Sequence, residues 1–511
     1  MGRNIVSLFA DRVVALACLH ANNHRPPATE QEFDLLCWEL HNCADPAWSE
    51  GAEALIGERL GRVRDTRLKI ALANLPPRAL LAETFRARTA AFHLEGRWAG
   101  LGDFVRPLLI AEHLAALLVS SCGSTAERRL ENFLQGSLVE FHRNAIVLNG
   151  LLCEGSDLKG TDGRTLRARG LIHLDDGPIG HDELRALGVT GEGVRTLCLR
   201  LSRSLESFSE LRTELDSVPD EERKFSAHIN WLGRWPLLDL GVAGTARRVI
   251  APSPRGFANS IQRFLLYEMP RTIANDGMHR LDGVRLDENN LTSLRGEAYE
   301  DYIRGPAVAH GVTDASLLKP VTGKRPDFVW VGARSGILIE AKFTLRPNDD
   351  RALANGSAAV TTWERAFEAL DQISEFESLN RELLASRWPN IKDWYALIVT
   401  NDQFPEETTR FKAVMKRTGL LPAGIKGLAL LSTSEFENWL ACADADVLSG
   451  EIARWWNSCS PESIDDELVL RLPLGPRPPA LAEHLGNALE RVLPGARFAA
   501  LRREPDVSPE S

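Results

Sequence analysis

The sequence predicts an α/β fold, a mixed central sheet flanked by helices, preceded by a large, mainly α-helical N-terminal domain. Three observations carry this. Residues 1–250 place apolar residues at three- and four-residue spacing, the period of an amphipathic helix. Beyond 250, apolar runs of strand length alternate with amphipathic helices, which is the order of a sheet with helices on its faces. At 511 residues the chain is also too long for one core, so two or three domains are expected.

Taken in order, "MGRNIVSLFADRVVALACLH" is an apolar run interrupted by Asp11 and Arg12 with no small-residue cleavage site, so it is expected as a helix of the folded protein. "ATEQEFDLLCWELHNC", "AEHLAALLVS" and "AERRLENFLQGSLVEFHRNAIVLNGLL" continue the helical pattern. A polar, Gly-rich stretch at 153–183 fits a small hairpin or an exposed loop. "APSPRG" at 251–256 marks a linker and closes a helical accessory, sensor or interaction domain, 1–250. The next unit, 251–445, opens with the helices "FANSIQRFLLYEM" and "LTSLRGEAYEDYI". A hairpin at 327–343, the helix "TTWERAFEALDQISEFESLN", the strand "WYALIVTN", the helix "ETTRFKAVMKRTG" and the strand "IKGLALLST" follow. "SEFENWLACA" closes it with a capping pattern at Ser434 and Glu437. Residues 446–511 read as a C-terminal helical appendage with a disordered tail.

Composition narrows the function classes. Hydrophobic residues at 44% and charged residues at 25% describe a globular protein. No run of eighteen apolar residues occurs, so no membrane partner is expected. The 8 cysteines form no CxxC pair, which fits free thiols in the cytoplasm rather than a zinc or disulfide framework. A net charge of −10 excludes a generally basic coat, so nucleic-acid contacts must be local. Neither a phosphate-binding G-x-x-x-x-G-K-S/T loop nor a G-x-S-x-G elbow is present. His20 and His24 have metal-ligand spacing but lack a third ligand.

The chemistry concentrates in "RPDFVWVGARSGILIEAKF", residues 325–343. Side chains alternate along a strand, so Ile337, Ile339, Ala341 and Phe343 share one face, and Leu338, Glu340 and Lys342 share the other. Leaving such charges buried without counter-charge costs on the order of several kcal/mol. A simple register with loop 332–336 sets Asp327 opposite Ala341. A shift of one residue, or a bulge, brings Asp327 to Glu340 instead. Two carboxylates converging on one point favour Mg²⁺, with Mn²⁺ as a substitute, and a lysine beside them can orient a water or neutralise a phosphate oxygen.

Pro326-Asp327, twelve intervening residues and Glu340-Ala341-Lys342 resemble the signature of the PD-(D/E)xK nuclease superfamily, and Gly296 with Glu300 resemble its Gly-x-x-x-Glu pattern. The resemblance covers roughly 285–440 and implies a restriction-endonuclease-like core of order αβββαβ. It implies metal binding by Asp327, Glu340 and the Ala341 carbonyl, and catalysis by Lys342. Glu300 would complete the metal's outer shell or bind a second ion, and Gln372 would orient Lys342 or a phosphate. Where nucleases of the RecB type have a tyrosine four residues after this glutamine, the chain has Phe376. Lys324 and Arg325 are candidate nucleic-acid contacts. The expectation is a Mg²⁺-dependent deoxyribonuclease acting on DNA in preference to RNA. By analogy of layout alone it would be an effector of a bacterial restriction or anti-phage defence system, working with a partner ATPase or helicase, another defence-system protein or a second copy of itself. The alternative is a catalytically silent adaptor that binds nucleic acid or protein through the same core.

Overall fold

The structure, a computed structural model, describes residues 101–159, 165–168, 170–174, 189–204, 235–243, 246–251, 254–274, 277–319, 321–343, 356–401, 421–458, 487 and 490–493. The helices expected before 100, at 406–418 and near 480–493, and the His20/His24 pair, lie wholly or mainly outside them.

The N-terminal part opens with three helices, α1 (Leu101–Cys122), α2 (Ser124–Leu134) and α3 (Leu138–Glu154). The expected continuous helix over 126–152 breaks where Gln135 turns left-handed, with φ 58°. Ser137 then restarts it through a capping box with Glu140. The polar stretch after it does form a hairpin, β1 (Ser156–Lys159) with β2 (Thr165–Ala168). A second sheet joins these helices in a part whose described residues are still mostly helical. Strands β3 (Leu171–His173), β4 (Ser202–Ser204), β5 (Leu237–Ala243) and β6 (Ala246–Ile250) assemble in the order β3-β6-β5-β4, with α4 (Gly191–Arg200) before β4. Its strands are short and one is bulged between Asp239 and Val242, so no period-2 pattern survives in the sequence.

The linker expected at 251–256 is also corrected. Pro254 begins helix α5 (Pro254–Arg263), because a proline fits the first turn of a helix, where its missing N–H has no partner to lose. A π-helical turn, Phe264–Glu268, and α6 (Met269–Ala274) continue it. Core residues on both sides of 250 belong to one continuous apolar cluster, and α1 packs along α7 (Glu288–Ala309). The segment Phe104–Cys122 of α1 is long and apolar enough to cross a membrane, but over half of it is buried within the protein.

The C-terminal part is a five-stranded mixed sheet of order β11-β10-β9-β8-β7. Its strands are β7 (Thr313–Asp314), β8 (Phe328–Val331), β9 (Ser335–Lys342), β10 (Asp393–Thr400) and β11 (Ile425–Ser432). β7, β8 and β9 pair antiparallel, whereas β9, β10 and β11 run parallel. Two-residue β7 is a strand the sequence pattern does not signal. β9 and β10 are buried on both faces, as their near-continuous apolar runs require. Between β9 and β10 lie α8 (Gly356–Leu379) and α9 (Arg381–Arg387).

The helix after β11, α10 (Thr433–Cys442), begins two residues before the expected position. Its capping box is Ser432 with Glu435, not Ser434 with Glu437. Glu437 is instead fully buried, where it accepts from Tyr302 (2.5 Å) and from Arg106 (2.6 Å). The next helix, α11 (Ala445–Ser458), packs on β8, β9 and β11 and buries Trp455 and Trp456. It is a layer of this sheet rather than an appendage.

Candidate active site

The hairpin register decides where the carboxylates stand. Phe328 pairs with Ile339, Val329 with Leu338, Trp330 with Ile337 and Val331 with Gly336. The last ladder pair is Phe328 with Ile339, and Asp327, a bend just before β8, gives its N–H to that same Ile339 carbonyl (3.1 Å), so two residues face one and the ladder does not run on to Glu340. The loop 332–336 is therefore one residue longer in expectation than in fact. Gly332 N–H donates to the Ser335 carbonyl (2.9 Å), which leaves Ala333 and Arg334 as a two-residue turn. The one-residue shift along β8 arises in the turn, and a bulge-like doubling of Asp327 and Phe328 against Ile339 ends the ladder at Asp327.

Helix α11 holds that turn. The Asp446 carboxylate accepts from the N–H groups of Ala333 (2.6 Å), Arg334 (3.1 Å) and Ser335 (3.0 Å) and from the Ser335 hydroxyl (2.7 Å). Partial burial works against its ionisation, but the bonds from Ser335 and the three N–H groups outweigh that and hold its carboxyl at about 2. A Cβ on Gly332 would come within 2.5 to 2.8 Å of that carboxylate, so only glycine fits there. Since Ser335 points at α11, strand alternation aims Glu340 and Lys342 at the opposite face.

On that face Glu340 is buried, and Lys342 Nζ donates to its Oε1 (2.5 Å). Glu340 Oε2 is buried with no hydrogen-bond partner. Asp327 Oδ2 accepts from the Ala341 N–H (2.7 Å). Burial pushes the Glu340 carboxyl up to about 8, with Asp327 adding to the rise and Lys342 opposing it. Asp327 is raised as well, first by burial, against the Ala341 hydrogen bond and the Lys342 charge. Glu300, on α7, is raised to about 7 by burial and then by Asp327, while Lys342 and Arg304 pull it down. Three carboxyls thus share one field that is short of positive charge.

A polar cleft of about 560 Å³ opens over this cluster. One face of α7, from Asn289 through Gly296 to Glu300, forms a wall, and Ala341, Lys342, Phe343 and Arg365 complete it. Asp327, Glu340, Lys342 and Glu300 are therefore near enough to act on one another's charge. Gln372 is placed differently from its expected role. Its Nε2 donates to the Arg325 carbonyl (2.6 Å), so it holds the main chain two residues before Asp327. Buried Asn380 does the same further back, accepting from Thr322 N–H (2.9 Å) and donating to its carbonyl (2.9 Å). Lys324 and Arg325 are exposed on this segment.

Sequence reasoning passes over Arg304, Arg365, Asn380 and Asp446. Arg304 had a signal, since it sits four residues after Glu300 on the same helical face. It bonds Asp314 (2.9 Å) and Asp301. Asp446 lies more than a hundred residues from the turn it holds and carries no local signal.

Compared with known proteins, the chain matches no family model, no curated protein and no solved structure.

Among the described residues, no three His, Cys, Asp or Glu side chains form a group able to hold a metal ion by themselves. The donors offered here are two carboxylates and a carbonyl. That set suits Mg²⁺, which keeps several waters and is commonly held by one or two carboxylates plus substrate phosphate. The unpartnered Glu340 Oε2 and the raised carboxyls fit the same cation.

Proposed function

We propose that the protein is a metal-dependent nuclease that hydrolyses phosphodiester bonds, in DNA in preference to RNA. The observation that carries this reading is that Asp327 bonds the Ala341 N–H, beside Glu340, with Lys342 bonded to the Glu340 carboxylate. The element order α7, β7, β8, β9, α8, β10 supports it, being the αβββαβ order of the superfamily the signature resembles.

Asp327, Glu340 and the Ala341 carbonyl would hold a Mg²⁺ or Mn²⁺ ion, which when bound stabilises charge on a phosphoryl oxygen and acidifies a bound water. Lys342, fixed by Glu340, lines the cleft, where it would orient the attacking water and offset phosphate charge. Water oxygen bonds to phosphorus, the P–O bond to the departing sugar breaks, and the leaving sugar oxygen takes a proton from solvent water. Glu300, with its carboxyl near 7, can take the water's proton at neutral pH. Gln372 and Asn380 act by positioning the segment that carries Asp327.

Labelled single-stranded and plasmid DNA incubated with Mg²⁺ or Mn²⁺ test the reading. Wild type should cleave, Asp327→Ala should fall to background and Lys342→Ala should lose about 10²-fold or more. Cleavage that survives both substitutions contradicts it. Binding without cleavage by any form supports the silent adaptor.

A further inference from the structure

The Gly of the Gly296–Glu300 pair has no task in the chemistry above. Glycine inside a helix is unfavourable relative to alanine, so a mid-helix glycine needs a reason. Close packing is not the reason here, because a Cβ built on Gly296 meets nothing within 4 Å. Gly296 instead lines the cleft, one turn before Glu300. Asn289, Thr292 and Ser293 extend the same face of α7 as neutral hydrogen-bonding groups. Arg365 and Phe343 line the same cleft, as does the exposed carboxylate of Glu297 beside Gly296. Phe343 also packs on Tyr299, with ring centroids 5.9 Å apart, which fixes its ring. A cation for phosphate, an aromatic edge for a base or sugar and a bare stretch of helix for close backbone approach are the parts of a single-strand site.

We infer that the α7 face centred on Gly296, together with Arg365, is the track that binds one unpaired nucleic-acid strand beside the reacting phosphate. The inference rests on the nuclease reading for the identity of its ligand and extends it to substrate form and to residues outside the acid cluster. Backbone runs over Gly296, a phosphate next to the reacting one sits on Arg365, and the Asn289 amide donates to the sugar-phosphate chain, while the Thr292 and Ser293 hydroxyls are turned back onto the helix carbonyls of Glu288 and Asn289.

Fluorescence anisotropy of a short labelled single-stranded DNA oligonucleotide, in EDTA over a salt series, tests this. The same samples are then given Mg²⁺ or Mn²⁺ to read cleavage. Gly296→Leu should weaken binding at least about tenfold, while Gly150→Leu, the same change in an open position of α3, should leave it unchanged. Arg365→Gln should weaken binding and lower the slope of log K against log salt by about 0.7, the loss of one phosphate contact. Tighter binding of the matching duplex, no binding by wild type, or wild-type binding by Gly296→Leu overturns the track. If wild type and Gly296→Leu cleave equally, the track fails while the nuclease reading stands. If wild type binds the strand, Gly296→Leu does not and neither cleaves, the track stands and the nuclease reading fails.

Discussion

Glu340 shows how far one residue carries the account. It is buried, has one oxygen on Lys342 and one on nothing, and its carboxyl is raised from 4.5 to about 8. A raised folded-state value means that its contribution to stability is whole below the unfolded value. That contribution drains away as pH climbs through about 8. Without metal, the protein should therefore lose stability between pH 4.5 and 8, by up to roughly 4 kcal/mol from this group alone. Glu340→Gln cannot ionise, so it should flatten that part of the stability–pH curve and melt above wild type at pH 8. Thermal melts in EDTA across that range check it, and a variant less stable than wild type at pH 8 would count against a strained acid cluster. The signature residues are legible in sequence because strand alternation puts Glu340 and Lys342 on one face wherever β9 begins. The approach of Asp327 is less so, since it depends on the turn length and on the break in the ladder at Ile339.

At the scale of elements, the hairpin depends on a helix far away in sequence. Asp446 fills the ring of N–H groups at the turn, and its carboxyl is held at about 2 against an ordinary 3.8. A lowered value stabilises above the unfolded value and is lost as pH falls through about 2. Asp446→Ala should cost about 1–3 kcal/mol at neutral pH, discounted for partial exposure, and should remove the acid-side loss between about 4 and 2. Urea melts at neutral and acid pH measure both. Cleavage should fall with it, because a loosened turn lets the register slip. The main strands β8 to β11 are visible in sequence as apolar runs. β7, two residues long, and the second sheet, with its bulge, are not, because pairing rather than local pattern creates them. The end of β11 offers two overlapping cap patterns, and sequence alone does not choose between Ser432 with Glu435 and Ser434 with Glu437.

Across the whole molecule, the N-terminal part is tied to the sheet through a buried charge. Arg106 of α1 and Tyr302 of α7 both donate to Glu437 of α10. Tyr302 lies two residues from Glu300, so the same helix carries the cleft on one side and this link on the other. Arg106→Ala strands the Glu437 carboxylate in the interior and should cost about 3–5 kcal/mol, read as a single cooperative unfolding transition shifted for both parts together. Two separate transitions would show that the parts fold independently. Sequence reading places a boundary near 250 because proline and glycine punctuate it, but packing runs across that point. The central claim, that Asp327 and Glu340 close around one divalent cation, is tested most directly by calorimetric titration of Mn²⁺ at pH 7 in two buffers of different ionisation enthalpy. Saturable binding at one site, with release of protons from the raised carboxyls and loss in the Asp327→Asn, Glu340→Gln double variant, is the expected result. Absence of saturable binding by wild type, or binding that persists in the double variant, would contradict it.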